Sequence, residues 1–167
     1  MRASLAAIAR RPRATLAPVP AENSADDPAA AQALAVRCAE TMYGNDAASQ
    51  ALGITIDGVS PGTARARMTV RADMLNGHGI CHGGYVFTLA DTAFAFACNT
   101  YDDVTVAAGA DVAFLAPVAA DTELVAVATE RTRRGRSGLY DVTVTSSADE
   151  VVAEFRGRSR SLGRPLL

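Results

Sequence analysis

Asp91 is the only carboxylate between Asp73 and Asp102, and it sits inside a mostly apolar run, Val86 to Cys98. An unpaired carboxylate in an apolar interior is costly. It must reach a partner or a cavity, or its pKa must rise. Positions of this kind are enriched in catalysis, although an Asp bonded to backbone or held at a subunit contact meets the same demand. Eight residues upstream stands the pair Gly83-Gly84. If a helix begins there, its first N–H groups lack partners and carry partial positive charge. Glycine lets another molecule approach that backbone closely. Such a terminus can hold the oxyanion that develops on an attacked carbonyl. Equally, the glycines can serve only a tight turn into the helix.

The residues before the glycines add polar groups. Asn76 opens the loop Asn76-Gly77-His78-Gly79, and its amide can donate to a carbonyl or hold a water. Asn-Gly is also an ordinary turn dipeptide. His78 and His82 are the only histidines in the chain. Two histidines four apart bind zinc when they share a helix face. Here His78 precedes the helix among glycines and no third ligand is evident, so no metal is expected. His82 instead suits ordering of the loop by side-chain hydrogen bonds. Its neighbour Cys81 forms no catalytic pair with it on adjacency alone.

Spacing bears on how these groups combine. Eight residues of helix separate Gly83 from Asp91 by roughly 12 Å. One carbonyl carbon is not easily served by both from a single helix. A second, antiparallel copy of the helix would bring the carboxylate across, which points to a symmetric homodimer with shared sites.

The elements that must position these residues follow from periodicity. Residues 1–26 are rich in Ala, Pro and Arg without sustained periodicity and are expected to form a disordered extension. Arg2, Arg10, Arg11 and Arg13 precede the first acid, Glu22, a composition shared with targeting peptides. The apolar run Leu5 to Ala9 is too short for a secretory core. Asp27-Pro28 reads as an N-cap with proline at the first helical position. That helix should run through Ala29 to about Tyr43 and end at Gly44-Asn45. Strands are expected at Ile54–Val59 and Thr63–Arg71. In the second, Ala64, Ala66, Met68 and Val70 alternate with Thr and Arg, giving one dry and one wet face. His82 to Asn99 should be a helix that is apolar nearly all round and therefore buried. Four more strands are expected at Val104–Leu115, Thr122–Thr132, Leu139–Thr145 and Val151–Ser161. Short turn-like separators imply antiparallel pairing. The expected class is α+β, one long buried helix wrapped by a curved antiparallel sheet. The domain is placed at residues 27–163, with 164–167 a C-terminal tail.

Composition narrows the partners. At 167 residues, 49% hydrophobic and 20% charged, the chain suits one globular domain. A net charge of −2 with no Trp argues against nucleic acid. No uncharged apolar stretch of about 20 residues suggests a membrane span. Three cysteines, Cys38, Cys81 and Cys98, at no redox or metal spacing suit a reducing compartment. Cytoplasmic localisation is expected.

The stretch from Asn76 through Cys81-His82-Gly83-Gly84 and Leu89-Ala90-Asp91 to Asn99 resembles the signature of PaaI-type hotdog thioesterases, acyl-CoA thioesterases of bacterial phenylacetate degradation. The resemblance extends through Phe114-Leu115-Ala116-Pro117, Arg136 to Val142 and Ala153 to Ser159, and covers about residues 28–163. It implies a hotdog fold and hydrolysis of acyl-CoA, with phenylacetyl-CoA or its hydroxylated forms as substrates and no cofactor. Asp91 would be nucleophile or general base. The Gly83 N–H would polarise the thioester carbonyl, and Asn76 would bind carbonyl or water. Sites would span a homodimer interface, with dimers pairing into a homotetramer. Related enzymes carry Ser or Thr one turn after the carboxylate, where this chain has Ala95. His82 and Gly84 are expected beside the substrate. Seven arginines cluster at 131, 133, 134, 136, 156, 158 and 160. Arginine suits coenzyme A phosphates, and Arg136 and Arg158 are the two expected to contact them. The others suit a solvated sheet face. Two alternatives stay open: a hotdog acyl-CoA hydratase or dehydratase, disfavoured because no His follows Asp91, and a non-catalytic acyl-CoA-binding module.

Overall fold

The structure is a computed structural model that describes residues 27–167. The extension expected at residues 1–26 lies outside the described residues. Helix α1 (Pro28–Asn45) starts as its sequence predicts, with Asp27 accepting from the Ala29 N–H at 2.9 Å and Pro28 at the first position. It runs to Asn45, so Gly44 stays helical. The chain is turned by Asp46 instead. Its N–H donates to the Tyr43 carbonyl, and its carboxylate caps α2 (Ala47–Leu52) by accepting from the Ser49 N–H and hydroxyl. This short helix escapes periodicity analysis because six residues span under two turns.

Six strands form one antiparallel sheet in the order β1-β2-β4-β5-β6-β3. They are β1 (Thr55–Ser60), β2 (Thr63–Thr69), β3 (Thr105–Phe114), β4 (Glu123–Arg134), β5 (Ser137–Ser146) and β6 (Val151–Ser161). The dry face of β2 is as its alternation demands, with Ala64, Ala66 and Met68 buried, and Val70 just beyond the strand is buried too. The strand closes two residues earlier than expected because a 3-10 turn, Ala72–Met74, begins there. The β4–β5 hairpin is tighter than expected, with only Gly135 and Arg136 between the strands. Register shifts at Ile56/Gly58, Ala107/Gly109, Glu130/Thr132 and Val144/Thr145 bend the sheet.

The curved sheet wraps α3 (Gly83–Cys98), whose Leu89, Ala90, Ala93, Phe94, Phe96 and Ala97 are buried. Phe94 packs edge-on against Tyr140, with centroids 5.4 Å apart, and lies 5.8 Å from the Phe155 ring. Contact with β6 is close. A side-chain carbon at Gly157 would stand 2.7 Å from the Phe94 ring, so glycine is what lets helix and strand meet there. This is the α+β architecture that the sequence predicts, a long buried helix wrapped by a curved, unclosed antiparallel sheet.

Candidate active site

The site grows from the loop that delivers the chain to α3. Leu75 and Cys81 form an isolated antiparallel bridge, closing a small loop around Asn76 to Ile80. Asn76 anchors it from within: its N–H donates to the Ile80 carbonyl, and its Oδ1 accepts from the His78 N–H, both at 2.8 Å. So the turn reading of Asn-Gly holds for the side-chain oxygen. The amide Nδ2 makes no hydrogen bond among the described residues and is left as a donor beside a cleft. The Cys81 N–H binds the Val118 carbonyl and the His82 N–H that of Met74, which fixes the last step into the helix.

His82 is the N-cap of α3. Its Nδ1 accepts from the Gly84 N–H at 3.0 Å, an interaction that needs the neutral ring with its proton on Nε2. Gly84 is thereby consumed by the cap, whereas the Gly83 N–H makes no hydrogen bond among the described residues. The ring of His82 also meets Tyr85 edge-on at 6.4 Å. Among the described residues no group of three His, Cys, Asp or Glu is placed to hold a metal ion.

Beside the Gly83 backbone opens a cleft of about 380 Å³. Asn76 is the only hydrogen-bonding side chain on its wall apart from the Cys81 thiol. Ile80, Val86, Phe114 and Val152 supply apolar surface. Sequence reasoning missed Phe114 and Val152 as wall residues. Phe114 belongs to the Phe-Leu-Ala-Pro stretch that carries the resemblance, but nothing in its spacing says that β3 ends against the start of α3. Burial pushes the Cys81 thiol up, and Cys98 to about 12, so neither is a ready nucleophile at neutral pH.

Asp91 lies two turns further along α3, half-buried, and is not on the wall of this cleft. Its carboxylate makes no hydrogen bond or ion pair among the described residues. Desolvation raises its pKa above the ordinary carboxylate range. A single chain thus brings Asn76 and Gly83 together and leaves Asp91 apart.

The arginines are elsewhere. Arg158 lies six residues beyond Val152 on β6, roughly 20 Å along the strand, and forms an ion pair with Asp111. Arg136 sits in the β4–β5 turn, with Nε donating to the Ser161 carbonyl at 2.9 Å. Arg131 and Arg156 share Asp141, and Arg133 stacks on Tyr101 at 3.7 Å. Neither Arg136 nor Arg158 reaches the cleft of its own chain.

A model of the thioesterase superfamily matches residues 78–153. The acyl-coenzyme A thioesterase PaaI of Escherichia coli is 46% identical over 125 residues, covering 75% of this chain and 89% of the relative. A putative esterase of Archaeoglobus fulgidus is 31% identical over 121 residues, covering 72% and 79%. The solved structure of Escherichia coli PaaI superposes with a TM-score of 0.79 at 43% identity, covering 80% of this chain and 97% of that one. The structure of a mutant of the phenylacetic acid degradation protein PaaI from Thermus thermophilus superposes with a TM-score of 0.66 at 37% identity, covering 68% of this chain and 97% of that one. The chain belongs to the PaaI-type acyl-CoA thioesterases of the hotdog fold.

Proposed function

We propose that the protein hydrolyses aryl-acetyl-CoA thioesters, phenylacetyl-CoA or its hydroxylated forms, at a site shared between two copies of the chain. The observation that carries this reading is the free Gly83 N–H beside an apolar cleft, with Asn76 Nδ2 as a second donor. The thioester carbonyl accepts from Gly83, and its carbon is attacked by water or by Asp91 itself. On the water route, Asp91 takes the proton and the tetrahedral oxyanion rests on the Gly83 N–H. The C–S bond then breaks, and the coenzyme leaves as a thiolate that takes up a proton. If Asp91 adds first, water hydrolyses the resulting anhydride to the same products. With Ala95 one turn on, water is held by other groups than a hydroxyl at that position.

The shared site is supported by two features. Asp91 faces no partner among the described residues and is remote from Gly83 along the helix. The outer edge of β3, ten residues long, is unpaired in the sheet order. Long open edges pair readily with a second copy. Antiparallel pairing of two β3 edges would set two α3 helices in opposite directions and carry each Asp91 toward the other chain's Gly83. Further pairing of dimers into a tetramer, and coenzyme phosphates held by Arg136 or Arg158 of either chain, extend the same reading.

The experiment is thiol release from a panel of acyl-CoAs, with enoyl absorbance followed in parallel. Highest kcat/KM on phenylacetyl-CoA is expected. Equal or better turnover of long linear acyl-CoAs would overturn the substrate. Loss of enoyl absorbance without thiol release would favour a hydratase instead.

A further inference from the structure

We propose that Phe114 is the specificity-determining wall of the site, its ring selecting the acyl group presented to the Gly83 N–H. The inference rests on the thioester-hydrolase reading above and goes beyond it in naming the residue that chooses. The ring lies directly over Gly83. A carbon added there would stand 3.0 Å from Cζ and 3.3 Å from both Cε atoms of Phe114. A carbon added at Gly84 would stand 3.1 Å from Nδ1 of the capping His82, so the crowding there comes from the cap and not from a wall of the cleft. So Gly83 is glycine for a packing reason as well as a catalytic one: the aromatic ring occupies the space a side chain would need.

The ring is also held in place while remaining open to a ligand. Phe114 is the last residue of β3 and pairs with Ala153 of β6. The next N–H, that of Leu115, donates to the Val152 carbonyl at 2.9 Å. Its backbone is therefore fixed on the scaffold, and the side chain hangs from a rigid strand end. Yet Phe114 is 53% exposed, among the most exposed large apolar residues described. One side of the ring covers Gly83, and the rest borders the cleft with Ile80, Val86 and Val152. A flat aromatic acyl group can lie edge-on or offset against this ring while its carbonyl reaches the amide. Aromatic pairs in such geometries contribute beyond their buried area. A linear chain gains no such contact.

The test compares the wild type with Phe114→Ala and Phe114→Leu on phenylacetyl-CoA and octanoyl-CoA. The kcat/KM ratio of aromatic to linear substrate should fall about tenfold in both variants. The leucine variant guards against a folding defect in the alanine variant, and thermal melts monitor both. A second arm uses Gly83→Ala, which keeps the N–H but places a methyl against the ring. Its loss of kcat/KM should be at least tenfold in the wild-type background and under threefold in the Phe114→Ala background. An unchanged substrate ratio, together with equal Gly83→Ala losses in both backgrounds, would overturn the proposal. So would a folded Phe114→Leu protein that sediments as monomer where the wild type is a dimer, since the ring would then serve the interface. Absence of thiol release by the wild type on every thioester would instead remove the underlying reading.

Discussion

Asp91 combines two properties that pull in opposite directions. Desolvation raises its pKa, and no cation among the described residues offsets this. The ionised form is the one that can take a proton or attack. Turnover should therefore fall as pH drops through a value above the ordinary carboxylate pKa of about 3.9. A pH profile of kcat/KM with its acid limb at or below that value would contradict the assignment. The same shift has a sign for stability. A carboxyl whose folded pKa is raised binds more protons folded than unfolded between the two pKa values. Stability then declines as pH rises through that window, and the penalty is fully present at neutral pH. Asp91→Asn removes it. The variant should lose most turnover while melting at a temperature equal to or above the wild type at pH 7, the opposite order being expected of a purely structural Asp. Stability gained where activity is lost is a common trade at active sites.

The start of α3 depends on a cap that a sequence pattern does not name. His82 is not among the favoured N-cap residues, yet its Nδ1 accepts the Gly84 N–H as an Asn or Ser oxygen would. His82→Ala should destabilise the protein by about 1 kcal/mol, seen as a lower denaturant midpoint at unchanged slope. It should also lower kcat, because a frayed first turn no longer aims the Gly83 N–H. His82→Asn restores an acceptor, so recovery of both quantities is expected. If the asparagine variant recovers stability alone, the imidazole itself has a role in turnover. At the other end of α3, Glu130 of β4 accepts from the hydroxyls of Tyr101 (3.1 Å) and Tyr140 (2.8 Å), which ties strand and helix exit together. Both tyrosines are pushed up, by desolvation first and next by Glu130, through its charge at Tyr101 and its hydrogen bond at Tyr140. Tyr140→Phe leaves Glu130 with the Tyr101 hydroxyl and the Arg133 guanidinium 4.0 Å away. It should cost about 1.5–3 kcal/mol in denaturant unfolding, the range for hydrogen bonds to charged groups.

At the scale of the molecule, the chain carries half of each proposed site. The Gly83 amide and Asn76 stand at one cleft, and Asp91 lies half-buried off its wall. Two inactive variants should then complement one another. Gly83→Pro removes the N–H, although the fixed φ of proline also perturbs the loop. Losing one oxyanion donor costs about 2.7–4 kcal/mol, a hundred- to a thousand-fold in rate. Asp91→Asn should cost at least as much. Refolded together, the two form mixed dimers in which one site is intact and the other carries both defects. Activity should rise well above either variant alone. Verified mixed dimers without any gain would mean that the site is not shared in this way. The outer face of the sheet is less informative for catalysis. Its arginines at 131 and 156 share Asp141, and those at 65 and 67 share Asp57, as a solvated face requires.

The sequence by itself determined the two long helices and the six strands. Alternation in Thr63–Thr69 pointed to a half-buried strand, and the apolar run from Val86 to Cys98 at helical spacing pointed to a buried helix, as both are. A lone carboxylate within that helix marked itself by its cost of burial. These are local properties, legible because each depends on residues within two or three turns. Tertiary structure decided the rest. That β3 ends with its Phe114 ring over Gly83 depends on strand order, since residues 31 apart in sequence meet only when β3 and β6 pair at the sheet edge. The short α2 arose because one carboxylate, Asp46, turns one helix into another. Arg158, chosen from the sequence for phosphate, is balanced by Asp111 on the neighbouring strand. Charge partners, cap acceptors and cleft walls are set by register across strands, and register is a property of the folded sheet, not of any one segment.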